Sequence, residues 1–79
     1  MTIHIKYKKE ELDLYVEDSM KVSEVISSAR RFFCLSSLGN YALSKKNHVI
    51  VEFCKTSTLK ECNVKDEDKL IFVNYSEIK

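Results

Sequence analysis

Proline and tryptophan are absent from these 79 residues, and glycine occurs once, at Gly39. With no Pro- or Gly-rich stretch there is no flexible linker, no repeat and no low-complexity segment, so the chain reads as one domain. No apolar run approaches the ~20 residues of a membrane span. Met1-Thr2-Ile3-His4-Ile5-Lys6 lacks the apolar core of a signal peptide, and a cytoplasmic location is expected. Neither sign of charge prevails: 13 Lys and Arg stand against 12 Asp and Glu, a net +1, which leaves no global field to draw nucleic acid. The three cysteines, Cys34, Cys54 and Cys62, are an odd number without a close pair, a poor disulfide framework. They are expected to be small buried or half-buried thiols. With His48 they lack the ligand spacing of a zinc site. No acid, base and nucleophile converge, and a core this small leaves little room for a cleft; neither catalysis nor a cofactor is expected.

What is present is periodicity. Residues 2–7 alternate, with Ile3, Ile5 and Tyr7 on one face and His4 and Lys6 on the other. Residues 12–17 alternate likewise, Leu12, Leu14 and Val16 against Asp13, Tyr15 and Glu17. Period two predicts two half-buried strands. A polar four-residue connection, Lys8-Lys9-Glu10-Glu11, suits a turn without positive φ. In that register Tyr7 faces Leu12, Ile3 faces Val16, and Lys6 lies opposite Asp13 on the solvent face.

Asp18 and Ser19 are N-cap types. Beyond them Val22, Val25, Ile26, Ala29 and Phe33 recur at helical spacing, with Phe32 beside them. Arg30 and Arg31 complement the helix dipole in the last turn, and the helix is expected to end near Cys34–Leu35. Ser36-Ser37-Leu38-Gly39-Asn40 is the exit loop. Tyr41 to Ser44 reads as a short strand with Tyr41 and Leu43 inward and Ala42 outward; Lys45-Lys46-Asn47 reads as a turn. His48 to Phe53 reads as another strand, rich in β-formers. Thr58-Leu59-Lys60-Glu61 has the pattern of a capped helical turn. Asp66-Glu67-Asp68 is a solvated turn, and Lys69 to Asn74 a closing strand with Leu70 and Phe72 inward, Ile71 and Val73 outward.

The expected fold is therefore α+β: a mixed five-stranded sheet on one main helix, in the order ββαββ, helical turn, β. The domain spans 1–75, and 76–79 form a fraying tail. Phe32, Phe33, Leu14, Ile5, Leu43, Phe53, Leu59, Leu70 and Phe72 are the expected core. One helix cannot cover two sheet faces, so one face meets water.

The alternating strands and above all "TLKECNVKDEDKLIFV" resemble the ubiquitin-like β-grasp superfamily, over nearly the whole chain. The Tyr41-Ala42-Leu43 strand after a long helix-exit loop is similar to the ubiquitin-like lobes of talin and kindlin heads and of engulfment-and-motility scaffolds. That resemblance implies docking of a Ras-family GTPase through the second strand, with basic residues nearby. Here the second strand carries Glu11, Asp13 and Glu17, and Lys6, Lys8, Lys9, Arg30 and Arg31 would have to compensate from its flanks. The chain also resembles the free-standing ubiquitin-like protein of type VII secretion systems, apart from its short hairpin. It ends Ser-Glu-Ile-Lys rather than Gly-Gly, so neither a conjugated modifier nor a sulfur carrier is expected.

The resemblance implies a partner-binding patch on the open sheet face, where Ala42, Ile71 and Val73 match the ubiquitin patch. Tyr15 and His4 are expected on the same face, paired with each other. Lys8-Lys9 and Lys45-Lys46, if they share one end of the sheet, offer weak contact with acidic lipid. The expected role is protein binding by a monomer, without metal.

Overall fold

The computed structural model describes residues 1–45 and 53–75. Strands β1 (Thr2–Tyr7) and β2 (Glu10–Tyr15) form a hairpin that leads into helix α1 (Val22–Phe32). Strands β3 (Tyr41–Lys45) and β4 (Lys69–Asn74) complete the described sheet, whose order is β2-β1-β4-β3. β1 and β4, from opposite ends of the chain, pair in parallel at the centre; the other two pairings are antiparallel. Most of the strand expected over His48–Phe53 lies outside the described residues, as does the tail. Phe53 lies within them, and its N–H donates to the Leu43 carbonyl at 2.8 Å, on the outer side of β3. No described helix is long and apolar enough to cross a membrane.

The core lies between α1 and one sheet face. Ile3, Ile5, Leu43 and Leu70 come from the sheet, and Val22, Val25, Ile26 and Ala29 from the helix. Tyr7, Phe33 and Phe72 form an aromatic triangle with centroids 5.3–5.7 Å apart, which Tyr41 extends through Phe72 at 5.3 Å. Phe32 is 58% exposed, against the core role expected of it. Phe33 and Ala29 share the inward face, and Phe32, the last helical residue, points past it. Leu14 and Phe53 are half-buried at the core's margin, and Leu59 is fully buried.

The hairpin register is shifted by two residues from the expected one: Tyr7 pairs with Glu10, Ile5 with Leu12 and Ile3 with Leu14. The loop is only Lys8-Lys9, with Lys8 at φ 56°. A two-residue slip leaves every side chain on its own face, so alternation cannot distinguish the two registers. It does exchange cross-strand partners, and this moves Asp13 from Lys6 to His4.

The helix begins later than the cap types suggest. Lys21 is the N-cap, and its N–H donates to the Glu24 carboxylate at 3.3 Å. The first helical N–H groups, which have no intrahelical acceptor, are taken by a neighbouring segment. Val22 N–H reaches the Ser57 carbonyl at 2.9 Å and Ser23 N–H the Lys55 carbonyl at 3.1 Å. Thr58 and Glu61 form the expected reciprocal cap: Thr58 N–H to Glu61 carboxylate at 3.0 Å, and Glu61 N–H to Thr58 hydroxyl at 3.2 Å.

The C-terminus of α1 closes with a Schellman arrangement. Cys34 N–H bonds to Arg31 carbonyl at 3.2 Å and Leu35 N–H to Arg30 carbonyl at 3.0 Å. The turning residue is Cys34 at φ 57°, where a side chain costs energy that glycine does not. Cys34→Gly is therefore expected to stabilise the domain by about 1 kcal/mol, read from its urea midpoint. Leu70→Ala, at a fully buried site on the central strand, is expected to destabilise it by about 2–5 kcal/mol. A midpoint equal to wild type would remove Leu70 from the core.

Candidate functional site

The face of the sheet opposite the helix presents Thr2, His4 and Lys6 from β1, Asp13 and Tyr15 from β2, and Ile71 and Val73 from β4. Ile71 and Val73 are half-buried there. Ala42, expected beside them as exposed surface, is 1% exposed. It sits opposite Val73. The next position on that side, Ser44, lies opposite Ile71 and is fully buried, its hydroxyl without a hydrogen-bond partner among the described residues. The open surface thus stops short of β3.

Tyr15 is 74% exposed but does not join this patch. It pairs with Thr2, whereas Ile71 pairs with Lys6. Two strand spacings across (about 10 Å) and four residues along (about 13 Å) separate Tyr15 from Ile71. Lys6 stands between Ile71 and Glu11. The expected apolar dock is thereby reduced to Ile71 and Val73 beside charged neighbours.

His4 is held by carboxylates and not by Tyr15. Its Nδ1 lies 2.6 Å from Asp13 and its Nε2 2.9 Å from Glu67. Only the imidazolium can donate from both nitrogens. The hydrogen bonds to Asp13 and then Glu67 raise the pKa of His4 above its ordinary 6.5. Asp66-Glu67-Asp68 is accordingly more than a solvated turn. The Asp66 carboxylate accepts the Thr2 N–H at 2.7 Å, and the Asp68 carbonyl accepts the His4 N–H at 2.9 Å.

A second surface lies between the Lys8-Lys9 turn and the C-terminal end of α1. Here a groove of about 490 Å³ is lined by Tyr7, Phe33 and Leu35 with Lys8, Lys9 and Glu10. The Lys8 ammonium lies 5.4 Å from the centre of the Tyr7 ring. The exposed Phe32 ring meets Phe33 edge-on at 5.5 Å. The lysines are legible in sequence as a basic turn. The apolar floor is not, because Tyr7 and Phe33 belong to core-facing periodic patterns.

The other expected basic residues do not converge on this groove. Arg31 is exposed on the helix, and Arg30 donates to the Leu35 carbonyl at 3.0 Å and lines a separate cavity. Lys45 belongs to β3 and is aligned with Leu70 and Ile5, three residues (about 10 Å) short of Lys8. Its ammonium pairs with Asp68 at 3.2 Å. The two basic pairs therefore do not form one end patch through Lys45, and Lys46 lies outside the described residues.

Cys34 and Cys54 are exposed rather than buried, and Cys62 is half-buried. The Thr56 hydroxyl, 3.1 Å from the Cys54 sulfur, holds that thiol below its usual pKa, while burial pushes the Cys62 thiol up. Among the described residues no group of three His, Cys, Asp or Glu side chains is placed to hold a metal ion; His48 lies outside them.

No family model matches the sequence, and no curated protein does. Among solved structures, 237 chains match. One is the crystal structure of ATBAG1 in complex with HSP70, with a TM-score of 0.80 and 16% sequence identity. The match covers 94% of this chain, which spans 40% of that one. At this identity the likeness shows the fold alone: a small mixed α+β, ubiquitin-like fold. A fold by itself does not select a function.

The His4 arrangement has a pH signature. A folded-state pKa above 6.5 gives stabilisation that is complete below about 6.5 and is lost as pH rises through the raised value. Urea midpoints of wild type relative to His4→Gln are expected to fall between pH 6 and pH 8. Parallel pH profiles for the two proteins would show that His4 is not held as imidazolium.

Proposed function

We propose that this chain is a non-catalytic ubiquitin-like protein-interaction module that binds an acidic peptide segment carrying an apolar anchor. The groove beside the hairpin turn supports this reading. It joins an aromatic and aliphatic floor (Tyr7, Phe33, Leu35) to a rim with two lysines against one glutamate. An aliphatic or aromatic side chain fills such a floor, and flanking carboxylates meet the lysines. The open sheet face offers less, because its apolar part is two half-buried side chains.

The finer reading places the module in a scaffold of the talin, kindlin or engulfment type, with a Ras-family GTPase as the partner. The acidic effector surface of such a GTPase has the right sign for Lys8 and Lys9. β2 is an outer strand of the described sheet, as that mode of docking requires. Its own Glu10, Glu11 and Asp13 oppose the approach, so the groove lysines would have to carry it. The alternative, a free-standing regulator of the type VII secretion kind, would use the same groove. That the ATBAG1 structure contains HSP70 is in keeping with a role in company with another protein and does not choose the partner.

Selection from a displayed library of random peptides tests the proposal. Enriched sequences are expected to place Asp or Glu next to an aromatic or large aliphatic residue. Their affinity is expected to fall about tenfold or more in Lys8→Glu/Lys9→Glu, where two attractive charges become repulsive, and to be unchanged in Ile71→Asp. Enrichment of basic peptides, or equal binding by the double variant, would sink the groove assignment.

A further inference from the structure

A smaller cavity of about 210 Å³ lies along the flank of α1, between the helix and the Ser36–Asn40 loop. Two cations line it, Arg30 from the helix and Lys55 from the segment that caps the helix start. Their hydrogen bonds go to neutral acceptors: Arg30 to the Leu35 carbonyl at 3.0 Å, and Lys55 to the Asn40 side-chain oxygen at 3.4 Å. Among the described residues neither cation is paired with a carboxylate. Three serines, Ser23, Ser27 and Ser37, bring hydroxyl groups to the same walls. Ser23, Ser27 and Arg30 fall at i, i+4 and i+7, one stripe of the helix.

The loop wall is built rather than incidental. The Tyr41 hydroxyl donates to the Ser36 carbonyl at 2.6 Å, and the Gly39 N–H reaches the same carbonyl at 3.2 Å. A Cβ at position 39 would lie 2.1 Å from the Tyr41 hydroxyl oxygen, so the chain's one glycine is what admits the ring there. These bonds fix the loop that carries Ser37 to the cavity.

We propose that this cavity binds a phosphate monoester. Its lining carries two positive charges and no acidic residue, which balances the −1.5 to −2 charge of a monoester near neutral pH, roughly. Guanidinium, ammonium and hydroxyl donors outnumber what one carboxylate accepts and suit three terminal phosphate oxygens. A phosphorylated serine side chain presented by a polypeptide is the source we argue for. Ile26 and Tyr41 give the cavity an apolar floor, which an ester's carbon chain can touch and a free ion cannot. This site is separate from the hairpin groove and does not depend on it.

The test is an amide chemical-shift titration of the whole chain with three probes: inorganic phosphate, N-acetyl-phosphoserine amide and N-acetyl-serine amide. Phosphoserine is expected to give saturable shifts at Ser23, Ser27, Arg30, Ser37 and Lys55, tighter than inorganic phosphate, with none from serine. Arg30→Gln and Lys55→Gln are each expected to weaken it about tenfold, the value of one charge-assisted hydrogen bond, and Lys60→Gln not at all. Lys55→Gln leaves the helix C-terminus untouched, so it decides the matter if Arg30→Gln disturbs folding. Shifts elsewhere, no saturation, full affinity in Lys55→Gln, or binding of inorganic phosphate alone would each overturn the proposal.

Discussion

The sheet depends on the latch between the start of β1 and the acidic turn before β4. Parallel pairing of β1 with β4 joins segments more than 60 residues apart, so its loop-closure entropy cannot be offset by a tight turn. The latch fixes it locally instead. The Asp66 carboxylate takes the Thr2 N–H at 2.7 Å, the Glu67 N–H meets the Thr2 carbonyl at 2.6 Å, and the His4 ring bridges Glu67 to Asp13. One short turn thus sets the parallel register and ties in the outer strand β2. Because the tie through His4 is ionic and near the surface, it is weaker than the apolar core and sensitive to proton concentration.

The helix is placed by a second set of borrowed partners. An 11-residue helix is marginal on propensity alone, and this one opens on a lysine cap with no side-chain hydroxyl or carboxylate. The carbonyls of Lys55 and Ser57 stand in as acceptors, while Leu59 N–H returns to Met20 carbonyl at 2.9 Å. The segment before the Thr58 turn is therefore part of the helix's foundation. It also delivers Lys55 to the side of α1 where Arg30 emerges, so the same backbone bonds that start the helix assemble a cationic cavity.

Much of this was legible in the sequence, and the misses share a cause. Face assignment follows from period two, and Ile3, Ile5, Leu70 and Phe72 lie where alternation puts them. Register does not follow, because shifts by an even number of residues preserve every face. A turn holding Lys8 at positive φ, with neither glycine nor asparagine to announce it, chose the tighter hairpin. His4 lost its expected Tyr15 neighbour and gained Asp13 by that single slip. Ala42 shows a different limit: period correctly puts it on the far side from the helix, but side is not exposure. Phe32 and Phe33 show a third, since at the end of a helix a neighbouring pair of aromatics divides between core and solvent according to where the turn begins, here at Cys34.

Charge is distributed against the strand that the fold leaves at the edge. β2 carries Glu10, Glu11 and Asp13, whereas cations line the two cavities beside α1: Lys8 and Lys9 near its C-terminus, Lys55 and Arg30 along its flank. A net charge of +1 hides this partition. Acidic edge residues discourage a foreign strand from adding to the sheet, and they repel an acidic partner from that side. The helix side carries these lysines and the apolar groove of about 490 Å³ beside the hairpin turn. On the proposed reading a partner is steered away from open backbone and toward side chains around α1, so that recognition depends on its own carboxylate or phosphate pattern more than on its capacity to form a strand.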